Sequence, residues 1–197
     1  MRKTILLIWL LVPVLVGAYH YGPGQDRMVL DEIDAILSRA DADAASENWA
    51  DAVEGYEEAL AELPADRKDV IRRVRIERAK AQMFVSKLPE ARRDLEMLLE
   101  ELVGDDDSEP EQLADAREAL ANSKYYMTWL MRLEGQPQER WEPEIESARQ
   151  TYRLLAEQAD DAGRRGDARR HREDLESTVR LARMELGELQ GLPLPSQ

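Results

Sequence analysis

Cysteine is absent from this 197-residue chain, and histidine occurs only twice, as His20 and His171. Without cysteine there are no disulfides, no thiolate nucleophile and no zinc-cysteine site, and an oxidising compartment is compatible with this composition. The two histidines are far apart in sequence, and neither has a partner at the spacing of a known catalytic or metal motif. A Gly-rich phosphate loop is also lacking. The sequence therefore predicts no enzyme activity, no cofactor and no metal.

Residues that favour β-strands are also scarce. Phenylalanine occurs once, and β-branched residues become sparse after the N-terminal segment. The remaining chain is rich in Ala, Leu, Glu and Arg, which are good helix formers. Because a sheet requires the opposite composition, the predicted fold is all-α.

Basic residues are also fewer than acidic residues. The chain has 27 basic against 41 acidic residues and a formal net charge of -14. A surface of this charge repels phosphate backbones, so nucleic acid is excluded as the expected partner.

One long apolar segment is present, at the N-terminus. Arg2 and Lys3 precede an uncharged run over residues 4–21, which has about the length needed to span a bilayer as a helix. We interpret residues 1–25 either as a membrane anchor or as a signal peptide cleaved near Ala18. Both alternatives keep the basic N-terminus in the cytoplasm. They place the following domain outside the cytoplasm, in the periplasm if the cell is bacterial.

A spacing of bulky and small residues follows. Trp49, Ala52, Tyr56, Ala59 and Pro64 are separated by 3, 4, 3 and 5 residues. This pattern resembles the second helix of a tetratricopeptide repeat (TPR). In that family the small residues let two helices approach closely, the aromatic residue fills the gap, and the proline ends the helix.

The same frame returns twice in degenerate form. Shifted by 39 residues, it contains Leu88, Ala91, Leu95 and Leu98. Another 57 residues further on, it contains Ile145, Ala148, Tyr152 and Leu155. The resemblance implies that residues 26–187 form antiparallel helix pairs stacked as a short solenoid, with residues 188–197 as a flexible proline-containing tail. The alternative is a generic helical bundle.

Several helix boundaries are also predicted. Ser108 to Glu111 has the pattern of a capping box with a first-turn proline. Gly135 to Pro143 is predicted to be a longer loop, with Pro143 in the first turn after it. A final helix is predicted to end near Gly187 and to cap the stack.

Basic residues are concentrated in one predicted helix, with seven of them between Arg67 and Lys80. Some TPR domains receive a partner's carboxylate on basic first-helix positions, which correspond here to Arg73 and Lys80. The first repeat has Asp34 and Asp41 at these positions, which departs from that pattern. The alternative is that the basic helix neutralises acidic neighbours within the fold.

The stretch from Asn122 to Met131 is unusually rich in aromatic and methionine residues. More than one face of the predicted helix is apolar, which is typical of a central helix or of a groove lining. Asn122, Tyr126 and Trp129 are therefore predicted to line a partner-binding groove together with Arg73 and Lys80, the alternative being a core role.

These observations predict a membrane-anchored TPR-like scaffold that binds a protein or peptide outside the cytoplasm. The alternative is a self-associating structural or assembly protein of a membrane-associated complex, in which the chain forms homo-oligomers.

Overall fold

The computed structural model describes the backbone of residues 23–190 and the side chains of residues 30–190. These residues form eight helices and no strand. The helices are α1 (Pro23–Ala45), α2 (Trp49–Glu62), α3 (Lys68–Gln82), α4 (Leu88–Gly104), α5 (Pro110–Leu133), α6 (Gln138–Asp161), α7 (Arg165–Arg183) and α8 (Leu186–Gln190). The predicted all-α fold is therefore confirmed for the described part of the chain.

The predicted membrane segment, residues 4–21, lies outside the described residues. No helix from Pro23 to Gln190 is both long and apolar enough to cross a bilayer. α1 begins at Pro23, inside the 1–25 segment that was assigned to the anchor or signal peptide.

The chain divides into two compact units, Met1–Arg67 and Lys68–Gln197. In the N-terminal unit, α1 packs against α2. Apolar residues at helical spacing face each other across this pair: Ile33, Ile36, Leu37 and Ala40 on α1, and Ala52, Val53, Tyr56 and Ala59 on α2. α2 ends at Glu62, before Pro64, as predicted from the missing donor of proline.

In the C-terminal unit, α5 is the central helix, since it packs against α3, α4, α6 and α8. One buried cluster joins α3, α4 and α5, and its largest members are Ile76, Leu95, Leu98, Leu102 and Leu120. A second joins α5 and α6 through Ala121, Ala148, Tyr152 and Leu155. A third joins the far end of α5 with α6, α7 and α8 through Trp129, Ile145, Leu181 and Leu189.

The repeated frame is buried in all three helix pairs. Trp49, at the start of α2, is half-buried, and the remaining frame residues are almost inaccessible. These are Ala52, Tyr56, Ala59, Leu88, Ala91, Leu95, Leu98, Ile145, Ala148, Tyr152 and Leu155. The 3-4-3 spacing therefore identifies the inward face of α2, α4 and α6.

Three helix boundaries differ from those expected. α6 begins at Gln138, so Pro143 lies inside the helix rather than in its first turn. Pro110 does begin α5, but the hydroxyl of Ser108 donates to the Leu102 carbonyl at 2.8 Å instead of capping α5. α7 ends at Arg183, and the short α8 continues beyond Gly187 because Leu189 is fully buried.

Candidate functional site

Three helices of the C-terminal unit, α3, α5 and α7, contribute the polar and aromatic side chains that are candidates for binding. On α5 the positions 111, 115, 118, 122 and 126 recur every three or four residues and share one face. On α3, Arg73, Glu77 and Lys80 have the same spacing. We use the name polar face for the surface made of these five residues of α5, these three residues of α3, and His171 and Asp174 of α7.

Most of the basic residues on α3 form ion pairs within the C-terminal unit. The guanidinium of Arg72 donates to Glu101 at 2.9 Å, that of Arg75 to Glu101 at 2.7 Å, and that of Arg78 to Asp94 at 2.7 Å. Arg72 is buried, although its charge is one that proteins rarely bury without a partner. For these three residues the structure favours neutralisation of α4 over partner binding.

Replacing Arg72 by Met is expected to lower the free energy of unfolding by about 1.5–3 kcal/mol, the range for hydrogen bonds to charged groups. Arg72 also donates to Oδ2 of Asp105, and this bond holds the pKa of the Asp105 carboxyl below its usual range. The stabilisation from a carboxyl with a lowered pKa is present above about pH 4 and is lost as the pH falls through the folded-state pKa.

Urea denaturation at pH 7 and at about pH 2, with NMR titration of Asp105, measures both effects. The difference between wild type and Arg72→Met should shrink in acid, while the control Arg73→Met changes an exposed neighbour and should stay within about 0.5 kcal/mol. An Asp105 titration that is unchanged in Arg72→Met would contradict this assignment.

The two predicted receiving residues on α3 differ in their surroundings. Arg73 is exposed, whereas the ammonium of Lys80 donates to Glu77 at 2.8 Å. Lys80 also lies close enough to Asp115 to lower its pKa, but burial outweighs this and raises the pKa of Asp115 overall. Because acids surround it, Lys80 is not a site of net positive charge.

Asn122 takes part in a buried contact. The hydroxyl of Tyr152, whose side chain is only 2% exposed, donates to Oδ1 of Asn122 at 2.6 Å. Burial raises the pKa of this phenol well above its ordinary value, so it stays protonated and donates. The N-terminal unit contains a similar contact, in which the Tyr56 hydroxyl donates to Oδ1 of Asp41 at 2.7 Å.

The two aromatic residues predicted to line a groove are placed in different environments. The Tyr126 ring is half-buried and meets the rings of Phe84 and Tyr125 edge-on, with centroids 6.0 Å away in each case. Trp129 is 6% exposed and belongs to the core cluster with Ile145 and Leu181. Tyr126 is therefore partly exposed to solvent, and Trp129 is a core residue.

A cluster that sequence reasoning missed lies between α5 and α7. Glu118, His171 and Asp174 each offer one ligand-type atom, and these atoms lie within 4.8 Å of one another. Burial, followed by the charge of Glu118, raises the pKa of Asp174 to about 6, and burial lowers the pKa of His171. The His-x-x-Asp spacing on α7 was visible in the sequence, but Glu118 comes from another helix.

A cavity of about 250 Å³ opens beside this cluster. Glu118 and His171 line it, together with charged residues of α5 and the start of α7 that include Asp115, Asp167 and Arg170. The arrangement is suited to binding a small ion or the polar side chain of a partner. A covalent reaction would need a nucleophile paired with a base, and no such pair is evident in this cluster.

No family model, curated protein or solved structure matches the chain.

Proposed function

We propose that this chain is a TPR-like helical-repeat scaffold that binds a protein or peptide segment and performs no chemistry of its own. The observation that supports this most is the burial of the 3-4-3 frame in three successive helix pairs. In each pair a small residue at the second frame position, Ala52, Ala91 or Ala148, is fully buried. Small residues at such positions allow close helix approach, as the resemblance to the repeat family requires.

The packing of first helices supports the same proposal. In the C-terminal unit α3 contacts α5 directly, although α4 lies between them in sequence. Stacked helix pairs bring first helices together in this way, and their shared surface is where solenoids bind partners. Here that surface is the polar face.

The charge of the polar face indicates the chemistry of the partner. Acidic residues dominate the α5 side, with Glu111, Asp115 and Glu118 at helical spacing. The half-buried Tyr126 ring adds an apolar contact with a polar handle, which suits an interface. We therefore propose a partner segment that carries Lys or Arg, recognised by shape and charge complementarity.

The position of the scaffold in the cell follows from the apolar run in residues 4–21. We propose that this segment attaches the domain to a membrane or exports it, with Arg2 and Lys3 on the cytoplasmic side. The repeat domain then meets its partner outside the cytoplasm.

Crosslinking from intact membranes tests the proposal with the full-length chain and a Tyr126→Ala variant. We expect the wild type to capture one membrane or secreted protein, and Tyr126→Ala to weaken this capture about tenfold or more, the effect of losing an interface hot spot. Leu154→Ala is the matched control, because Leu154 is an exposed residue of α6 outside the polar face.

Two outcomes would contradict parts of the proposal. If the chain captures only copies of itself, the self-associating assembly protein replaces the scaffold. If Tyr126→Ala captures the partner as well as Leu154→Ala does, Tyr126 is not part of the binding surface.

A further inference from the structure

The cluster of Glu118, His171 and Asp174 brings three metal-ligating side chains together from two helices. His171 and Asp174 are three residues apart and share one face of α7, while Glu118 projects from α5. One imidazole nitrogen and two carboxylate oxygens therefore lie within 4.8 Å of one another.

His171 provides the second, independent observation. Its side chain is 5% exposed, and Nδ1 is buried with no hydrogen-bond partner. Oδ2 of Asp174 is 3.9 Å away and so beyond hydrogen-bonding distance. An unsatisfied buried polar atom is costly, and each one in a native structure requires an explanation. Here the imidazole belongs to a cluster whose other two members are carboxylates.

We propose that Glu118, His171 and Asp174 bind a divalent cation of the zinc type. A first-row ion binds imidazole nitrogen and carboxylate oxygen at about 2.0–2.2 Å, which places two ligands of a tetrahedral ion about 3.4 Å apart. The three atoms lie within 4.8 Å of one another, so each pair must close by at most about 1.4 Å to reach that separation.

The donor set selects among cations. Imidazole suits zinc, copper, iron and nickel, whereas calcium and magnesium prefer all-oxygen sites. A site with one nitrogen and two oxygens therefore favours Zn²⁺ over Ca²⁺ or Mg²⁺. Three protein ligands leave a fourth position for water or for a partner side chain.

The surroundings allow the ion to enter. Glu118 and His171 line the cavity of about 250 Å³, which gives access from solvent. The cation closest to Glu118 is Arg170, whose Nε lies 3.6 Å from Oε1, and this side chain is half-exposed and also pairs with Asp167. Arg170 can therefore remain with Asp167 when a metal ion occupies the cluster.

The competing explanation is that hydrogen bonds among the three side chains, formed when one of them is protonated, hold α7 against α5. Titration of the full-length chain with zinc chloride separates the two explanations. Isothermal titration calorimetry gives the stoichiometry and affinity, and cobalt chloride gives an absorption spectrum that reports the coordination geometry. Glu118→Gln and Asp174→Asn keep the side-chain shapes and remove the charged ligands.

We expect one Zn²⁺ to bind per chain, with an affinity that falls more than tenfold in Glu118→Gln and in Asp174→Asn. Two controls should bind as the wild type does. Glu173→Gln changes the exposed neighbour of Asp174, and His20→Ala removes the other histidine of the chain.

The proposal is overturned if the wild type binds no Zn²⁺ or Co²⁺ up to about 1 mM, or if His20→Ala abolishes binding. It is also overturned if both charge-removing variants retain the affinity of the wild type. NMR of the His171 imidazole in the wild type gives a readout that does not depend on any variant folding. A zinc-induced shift of its ring nitrogens is expected, and their lack of response to bound zinc would contradict the site.

Discussion

Replacing Trp129 by Ala is expected to lower the free energy of unfolding by about 3–5 kcal/mol, the usual cost of truncating a buried aromatic side chain. Trp129 is packed against Ile145 of α6, Leu181 of α7 and Leu189 of α8. The substitution would leave a cavity where four helices meet, and rigid helices collapse only partly around such a cavity.

The loss of local stability should be greatest in α7 and α8. Besides this cluster, the end of α7 is held by Arg132, whose guanidinium donates to the carbonyls of Leu181 and Met184. These bonds satisfy carbonyls at the C-terminus of a helix, but they depend on α5 staying beside α7. Urea denaturation measures the global loss, and hydrogen exchange should show the greatest loss of protection in α7 and α8.

Tyr126→Ala is the informative comparison, because Tyr126 is on the same helix and only half-buried. We expect it to cost about 1–2 kcal/mol, clearly less than Trp129→Ala. Equal costs for the two substitutions would contradict the division of α5 into a core side and a partly exposed side. A binding experiment that changes Trp129 would mix loss of the fold with loss of contact, so Tyr126 is the appropriate site.

Replacing Gly55 by Val is expected to destabilise the pairing of α1 with α2 by about 3 kcal/mol, at the upper end of the range for overpacking. A Cβ atom at Gly55 would lie 2.8 Å from Cβ of Ala40, closer than two carbon atoms can approach. Both atoms are fixed to helix backbones, so relief requires the helices to separate. This close approach also explains a glycine within a helix, where it costs about 1 kcal/mol relative to alanine.

A double-mutant cycle with smaller changes isolates the contact. Gly55→Ala alone should be destabilising, and Ala40→Gly alone should cost about 1 kcal/mol through helix propensity. When both are present, the two Cβ atoms no longer meet, so the double variant should be more stable than the sum of the single changes predicts. Chemical denaturation with hydrogen exchange on α1 and α2 measures this coupling, and strictly additive costs would show that the helices are not in contact at Gly55.

The α5 residues of the polar face and its histidine cluster are tested by different experiments. The tyrosine and acidic residues of α5 are tested by partner capture, while the histidine cluster is tested by metal titration. Loss of partner capture in Glu118→Gln with normal capture in Tyr126→Ala would indicate that the partner meets the α7 side of the face.

Composition and residue spacing were sufficient to predict the helical class, several helix boundaries and the inward faces of α2, α4 and α6. These properties are local. Pro110 begins α5 because proline is favoured in the first turn of a helix. Tyr56, Leu95 and Tyr152 point inward because a 3-4-3 spacing places apolar residues on one stripe, whichever helix covers it.

The roles of residues on helices with several neighbours could not be predicted, because they depend on how the helices pack. Tyr126 and Trp129 are less than one helical turn apart, and spacing alone could not tell which faces the core. The answer depends on where α6, α7 and α8 lie around α5. In the same way, Arg72 is buried because α4 supplies Glu101, and His171 meets Glu118 because α7 returns to α5. Such contacts join residues distant in the chain, and helical periodicity contains no information about which helices become neighbours.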